Sequence, residues 1–422
     1  MQLIIFCLIF FLAGQSFSSE DSVSLSGKLS LRGVAELDKD SVKEDPSVLG
    51  RIKINASKSS YRLYSWIEAG WDGTVRENNH SLLKNYDKVY QNNKQYLEFK
   101  ELFVEKSFNE LDIKLGIQRF SWGRLDEYPV NDLLNPWDYT RFLTKPLEDR
   151  KIGIPSVSVN LNIGDWQYQG VFIPWLVPYR LPMPNEKWAG LSKLQTDINN
   201  ISPIQPDLPS RSLENSSGAL RIIKLGETEL GFTLFQGYDP RPVFKSTYLI
   251  ITPKLIVPAY KPTFNKITTI GADIALVKGD FSIRAESAYT FNKHFSMIEK
   301  KSDTIDYGIG VDYRLFEDCT LIMQGQQTII LDKDDLLYEK KMETLLWASI
   351  KANWMNQKIE TNLSTAYNPE HGSYMTKFSG YYTFNDYFKA GASAVFFDGP
   401  EQSIFGKYSA NDQVEFEVIY SW

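Results

Sequence analysis

From residue 22 onward, hydrophobic and polar side chains exchange places at almost every step. Val23, Leu25, Leu29, Leu31, Ala35 and Leu37 share one parity, and Ser24, Ser26, Lys28, Ser30, Arg32 and Glu36 share the other. A period of two is the signature of a β-strand with one apolar and one polar face. The split recurs as Ile52, Ile54 and Ala56 against Arg51, Lys53 and Asn55, and as Ile305, Tyr307, Ile309 and Val311 against Asp306 and Asp312. Strands are predicted at 23–37, 48–58, 61–71, 95–108, 110–119, 154–163, 166–174, 217–226, 229–238, 266–277, 281–290, 304–314, 319–328, 342–353, 357–367, 374–384, 387–397 and 412–422. That makes eighteen, or sixteen if the poorly alternating segments 95–108 and 319–328 are not strands.

A soluble sandwich alternates in the same way, so the connections carry the decision. Tight links stand at Ser59-Ser60, Asn109-Glu110, Gly164-Asp165, Glu227-Thr228, 278–280, 316–318 and Asn385-Asp386, and the links between them are longer, notably 72–94, 120–153, 175–216 and 239–265. Short turns at one rim and long loops at the other are the pattern of bacterial outer-membrane barrels, with the turns periplasmic and the loops extracellular. A strand of about ten residues, tilted by about 40°, stands roughly 25 Å tall, which matches the apolar band of such barrels. The expected fold is therefore all-β, a transmembrane antiparallel up-and-down barrel. Segment 248–260 is apolar but carries Pro253 and Pro258, and it is assigned to an extracellular loop.

The two ends fit this picture. Residues 3–13 are unbroken apolar and are followed by Gly14, Ser16, Ser18 and Ser19, which predicts a signal peptide over 1–18 and a single barrel over 19–422. No Lys or Arg precedes the apolar core. Cys7 would leave with the leader, and Cys319 would remain without an internal disulfide partner. At the other end Val414, Phe416, Val418, Tyr420 and Trp422 alternate with polar residues. A final aromatic strand of this kind resembles the insertion signal by which outer-membrane barrels are recognised for assembly, with Phe416, Tyr420 and Trp422 as its core.

Composition narrows the class further. The chain has 422 residues, 43% hydrophobic and 14% aromatic, and a net charge of -6. An acidic balance does not suit a nucleic-acid partner, whose phosphates call for massed Lys and Arg. No apolar run reaches the roughly 20 residues of a membrane helix, and the aromatic content does not suit disorder. Trp71, Trp166, Tyr168, Tyr238, Tyr289, Tyr313, Trp354, Tyr367, Tyr420 and Trp422 fall at or near strand ends, where interfacial girdles belong. The hydrophobic residues are expected chiefly to coat the outside of the barrel, against outer-membrane lipid.

A barrel of sixteen to eighteen strands is too wide for its own side chains to fill, so its inward residues set what passes. Lys28, Arg32, Arg51, Lys53 and Arg62 are predicted to line one wall, and Asp273, Glu286, Asp306 and Asp312 the far wall. Two readings follow: a transverse field that orients dipolar solutes, or charges neutralised by neighbours. Segment 120–153, with Trp122, Asp126, Asp132, Trp137, Asp138, Arg141 and Arg150, is too long and aromatic for an idle loop, and it is read as an inward constriction or an ordered surface loop. Proline-rich 175–216 is read as an outer cap. The three histidines, His80, His294 and His371, fall in predicted loops, offer no metal-ligand spacing, and meet no Ser at matched inward positions. An enzyme, in particular a hydrolase, is not expected, and neither is a cofactor or metal.

Three stretches resemble a family of proteobacterial outer-membrane proteins of unknown function. The first joins Glu101-Leu102-Phe103-Val104-Glu105, then 113–123 with Gly116, Arg119, Ser121, Trp122 and Gly123, then Asn131-Asp132-Leu133-Leu134-Asn135-Pro136. The second runs from Gly218 through Gly237-Tyr238-Asp239 to Pro242, and the third from Gly271-Ala272-Asp273 to Arg284-Ala285-Glu286 and Tyr289. Together they cover about the middle half of the chain, with Ile117 standing where the motif has a basic residue. The resemblance implies traffic of lipids or hydrophobic compounds, alongside a periplasmic carrier and an inner-membrane permease of the resistance-nodulation-division type. From its residues the chain is expected to be a porin-like outer-membrane channel. The alternatives are a lipid or polysaccharide export barrel and, last, an outer-membrane hydrolase.

Overall fold

In the computed structural model the described residues are 21–38, 41–75, 82–91, 93–183, 186–189, 204, 206–252, 255–296, 300–335, 337 and 339–422. The predicted leader, Cys7 and His80 lie outside them. Eighteen antiparallel strands form one closed sheet: β1 (Ser22–Asp38), β2 (Ser41–Lys58), β3 (Tyr61–Asp72), β4 (Gln95–Phe108), β5 (Leu111–Gln118), β6 (Ile154–Ile163), β7 (Trp166–Ile173), β8 (Ser217–Lys224), β9 (Thr228–Tyr238), β12 (Lys266–Lys278), β13 (Phe281–His294), β14 (Lys301–Phe316), β15 (Cys319–Ile330), β16 (Met342–Trp354), β17 (Ile359–Asn368), β18 (Ser373–Thr383), β19 (Phe388–Asp398) and β20 (Gln413–Ser421). Each strand pairs with its neighbour in sequence except at β9, which pairs with β12, and the ring closes where β1 meets β20. The remaining two, β10 (Val243–Thr252) and β11 (Leu255–Thr263), pair only with each other as a hairpin within the β9–β12 connection. Segment 248–260 is thus a loop in topology and a strand pair in local structure, with Pro258 in the hairpin and not in the barrel ladder, while Pro253 lies outside the described residues.

Both poorly alternating segments are barrel strands, which gives eighteen and not sixteen. In β4 the partner register passes from Trp66↔Glu101 to Ile67↔Phe99 and skips Lys100, so a bulge at Lys100 shifts the parity of the strand. In β15 the alternation is blurred because the inward Ile322 is itself apolar and buried. The first hairpin is also longer than expected. β2 begins at Ser41 and not near 48, because pairing with β1 continues unbroken from Ser22↔Ser57 to Asp38↔Ser41. Its polar and proline-bearing start hid that continuity in the sequence.

The outward face is apolar and bare. Leu25, Leu31, Leu115, Phe232, Ile309 and Phe416 are more than half exposed, and an apolar surface of this extent implies an apolar surrounding. Rings gather at the short-turn rim: Phe281 stacks on Tyr313 with centroids 4.5 Å apart, and Phe388, Tyr420 and Trp422 form a ladder at the closing seam.

The hydrophobic residues are not confined to the outside: among the described residues two large apolar clusters lie in the interior. One joins Phe120, Trp122, Leu134 and Ile152 of the 119–153 connection to Ile154, Val171, Phe235 and Ile267 on β6, β7, β9 and β12. The other joins Leu143, Trp188, Phe405 and Tyr408 to inward residues of β15 through β19, among them Ile322, Trp347, Met375 and Phe397. Burying side chains of this size is worth about 1.5–3 kcal/mol each. The connections therefore pack into the lumen as a domain core would.

Candidate functional site

The 119–153 connection between β5 and β6, with its one-turn helix α1 (Leu147–Arg150), crosses the lumen and is tied to both walls. On the β12–β15 wall, Glu286 accepts the backbone N–H groups of Leu125 at 2.6 Å and Asn131 at 2.7 Å, and that of Arg124 as well. Arg124 donates to Asp273 at 2.7 Å and pairs with Glu229. Asp126 pairs with Arg284 at 2.6 Å, and its N–H reaches Gln324 at 3.1 Å. The wall makes room for this contact with glycines. A Cβ on Gly271 would clash with Asn131 Oδ1, and Cβ atoms on Gly308 and Gly310 would meet the Leu125 methyls at 2.7 and 3.0 Å.

On the opposite wall Asp149 pairs with Arg51 at 2.5 Å, Lys100 Nζ donates to Asp149 O at 3.1 Å, Arg141 pairs with Glu415 at 2.6 Å, and Lys377 donates to Thr144 O at 2.9 Å. Of the two readings of 120–153, the inward one is the structure's. Of the segment read as an outer cap, 175–183 and 186–189 turn inward, while 184–185, 190–203 and 205 lie outside the described residues. The fully buried Arg180 sits 3.0 Å from both Glu98 and Asp138, and those two acids need a cation at that depth.

Most of the predicted lumen residues are members of ion pairs, and Glu286 is held by backbone N–H groups of the inward segment. Arg32 faces Glu415 and Glu417, Arg51 faces Glu68 and Asp149, and Arg62 faces Glu105. Lys53 lies over the Trp66 ring at 4.2 Å, and Lys28 stands beside Arg51 in the β1–β2 register. Across the lumen Asp273 is held by Arg124 and Arg221, Asp312 by Arg284, and Asp306 by Lys293 at 3.7 Å. Each wall carries counter-charges of its own, which favours local neutralisation over a two-sided field. Arg124, Arg180, Arg221 and Glu98 went unnamed in the sequence, because a lone charge announces no partner until the chain is folded.

Two cavities flank the inward segment, roughly half the ring apart. One, of about 100 Å³, lies against β1–β4 and is lined by Arg32, Lys100, Arg141 and Lys145 among others. Burial pushes the Lys145 ammonium down to about 8, although Asp138 lies 3.3 Å away. Asp138 itself is held well below the usual carboxylate range: burial opposes its charge, but Lys145, Lys84 and Arg180 outweigh it. The other cavity, of about 260 Å³, lies against β9 and β12–β15. His294 is the last residue of β13 and not a loop residue, and His371 lies 3.7 Å from Glu343 at the loop rim. Among the described residues no cluster of three or more His, Cys, Asp or Glu could hold a metal ion.

A closed eighteen-stranded antiparallel barrel with an inward segment is the architecture of outer-membrane porins. The fold is shared with solved porins at low identity. It matches OccAB2 of Acinetobacter baumannii with a TM-score of 0.55 and 12% identity over 97% of this chain and 99% of that one. It matches OccK2 (OpdF) of Pseudomonas aeruginosa, in a complex with glucuronate, with a TM-score of 0.54 and 9% identity over 96% and 99%. No curated protein sequence matches the chain. A family model does: the chain belongs to the family described as protein of unknown function (DUF1302), which it matches over residues 53–304. The three stretches that carried the resemblance meet in space: Asn131 of the first reaches Glu286 and Ala272 O of the third, and Arg221 of the second pairs with Asp273 of the third.

Proposed function

We propose that this protein is an outer-membrane channel for small hydrophilic solutes, with 119–153 as its constriction. The observation that carries this reading is the segment's attachment to both walls, which leaves polar cavities on either side inside a barrel whose outside is apolar. The fold shared with porins supports it. The aromatic rim and bare apolar belt support residence in a bilayer. Phe416, Tyr420 and Trp422 are more than a third exposed on the outward face of β20, where an assembly machinery reading the last strand would find them.

Lipid or polysaccharide export through a periplasmic carrier and inner-membrane permease is less well supported. Ion pairs line the lumen, and an acyl chain against them would leave charged groups without water. Purified protein in planar bilayers tests the channel reading. Stepwise ion currents are expected. A barrel that inserts but never conducts would overturn it.

A further inference from the structure

We propose that the larger cavity is a binding subsite for a neutral, polyhydroxylated solute of the sugar class. The inference rests on the channel reading and adds a ligand class to it. Two observations carry it, the first being charge. Glu127 pairs with Arg150, Asp239 with Arg241 at 3.6 Å, Asp306 with Lys293 at 3.7 Å, and Asp132 with Lys151. Four acids and three bases line the space, and Lys151 behind Asp132 supplies the fourth cation, so every acid has a counter-charge and the net field on an ion is small. It does offer a carboxylate acceptor beside a cationic donor at several points. A hydroxyl both donates and accepts, and can satisfy both members of such a pair at once.

The second observation is that two residues lining the cavity carry buried polar atoms without partners. Tyr128 Oη and Asp132 Oδ1 are enclosed and make no hydrogen bond within the protein. The Asp132 side chain is almost completely buried, and burial raises its carboxyl above the ordinary range even with Lys151 alongside. An unmet buried acceptor of this kind is costly unless a ligand or water completes it. Between these polar points lie Trp137, Tyr139 and Tyr179, the two tyrosine rings 5.7 Å apart. Flat apolar faces with polar groups at their edges suit the C–H faces and hydroxyl rims of a pyranose. The cavity, about 260 Å³, exceeds the space one water needs, about 10–15 Å³, many times over.

Calorimetric titration of the full-length barrel in detergent micelles tests this without requiring that it conduct. The probes are glucose and maltose as neutral ligands, and glucuronate and glucosamine as charged ones. Millimolar or tighter binding of a neutral sugar is expected, with Tyr128→Phe and Asp132→Asn each weakening it about tenfold and the charged analogues binding less well. Absence of neutral-sugar binding, tighter binding of glucuronate or glucosamine, or unchanged affinity in Tyr128→Phe would overturn the proposal. The Tyr128→Phe variant leaves every ion pair in place, so it stays informative if Asp132→Asn fails to fold. Sugar binding by a barrel that passes no current would sink the channel reading alone, and current without sugar binding would sink only this one.

Discussion

The carboxylate of Glu286, on the inward face of β13, accepts the backbone N–H of Asn131 at 2.7 Å, joining residues 155 positions apart in the chain. The N–H groups of Leu125 and Arg124 converge on the same carboxylate. A buried carboxylate that collects backbone donors is a strong anchor, since charge-assisted hydrogen bonds are about twice as strong as neutral ones. Through this contact a wall strand fixes where the inward segment sits.

Asn131 needs a wall without a side chain at Gly271. Replacing that glycine by Val should displace Asn131 and break its hydrogen bond to Ala272 O at 3.0 Å, at a cost of about 1–3 kcal/mol. Limited proteolysis should then cut within 119–153 in the variant, while the wild type resists.

Arg180 compensates two buried acids, Glu98 and Asp138. Arg180→Met should destabilise the folded barrel by about 3–5 kcal/mol, because both acids lose that partner at depth. Heat-modifiable migration on detergent gels reads this as a clear fall in the unfolding temperature. Restoring the charge as Arg180→Lys should recover only part of it, since a single ammonium cannot reproduce the guanidinium fork.

Lys145 should make ion selectivity depend on pH. Its ammonium titrates near 8 among Asp138, Lys84, Lys100 and Arg141. Below that value it is protonated and adds one positive charge beside the smaller cavity, and above it the charge is lost. The preference for anions over cations, read from reversal potentials in a salt gradient, should therefore fall as pH rises through 8. Lys145→Met should flatten that step.

Trp422 closes the seam of the barrel. Gly27 donates its N–H to Trp422 O at 3.0 Å, Trp422 returns its N–H to Gly27 O at 3.1 Å, and the indole covers the space a Gly27 side chain would fill. A ring laid over a strand glycine on the neighbouring strand is a cross-strand contact worth about 1 kcal/mol. Trp422→Ala should lower resistance to detergent unfolding and reduce the amount of assembled barrel. Gly27→Val should do the same, because it evicts the same ring.

The strands were legible in the sequence because the outward face of each must be apolar whatever lies within. Leu29, Ile309 and Phe416 announce themselves at every second position. The inward face was less legible wherever the plug rests on it. Ile322 and Phe397 are apolar because they meet Leu143 and Phe405, and an inward apolar residue next to an outward one erases the alternation. The β4 bulge at Lys100 shifts parity for a local reason, and the early start of β2 was hidden because 41–47 carry a single hydrophobic residue, Val42. The charged residues of the lumen were visible, but their partners were not: Asp273 and Arg124 lie 149 positions apart, and only the closed ring makes them neighbours.

Single-channel recording of Glu286→Ala beside the wild type bears most directly on the claim that 119–153 is the constriction of a channel. Removing the carboxylate frees three backbone donors at once, so the segment should leave the wall. The wild type should show small, steady conductance steps, and the variant steps several-fold larger with frequent flickering. Equal conductance in the two, from protein shown to be folded, would contradict the account.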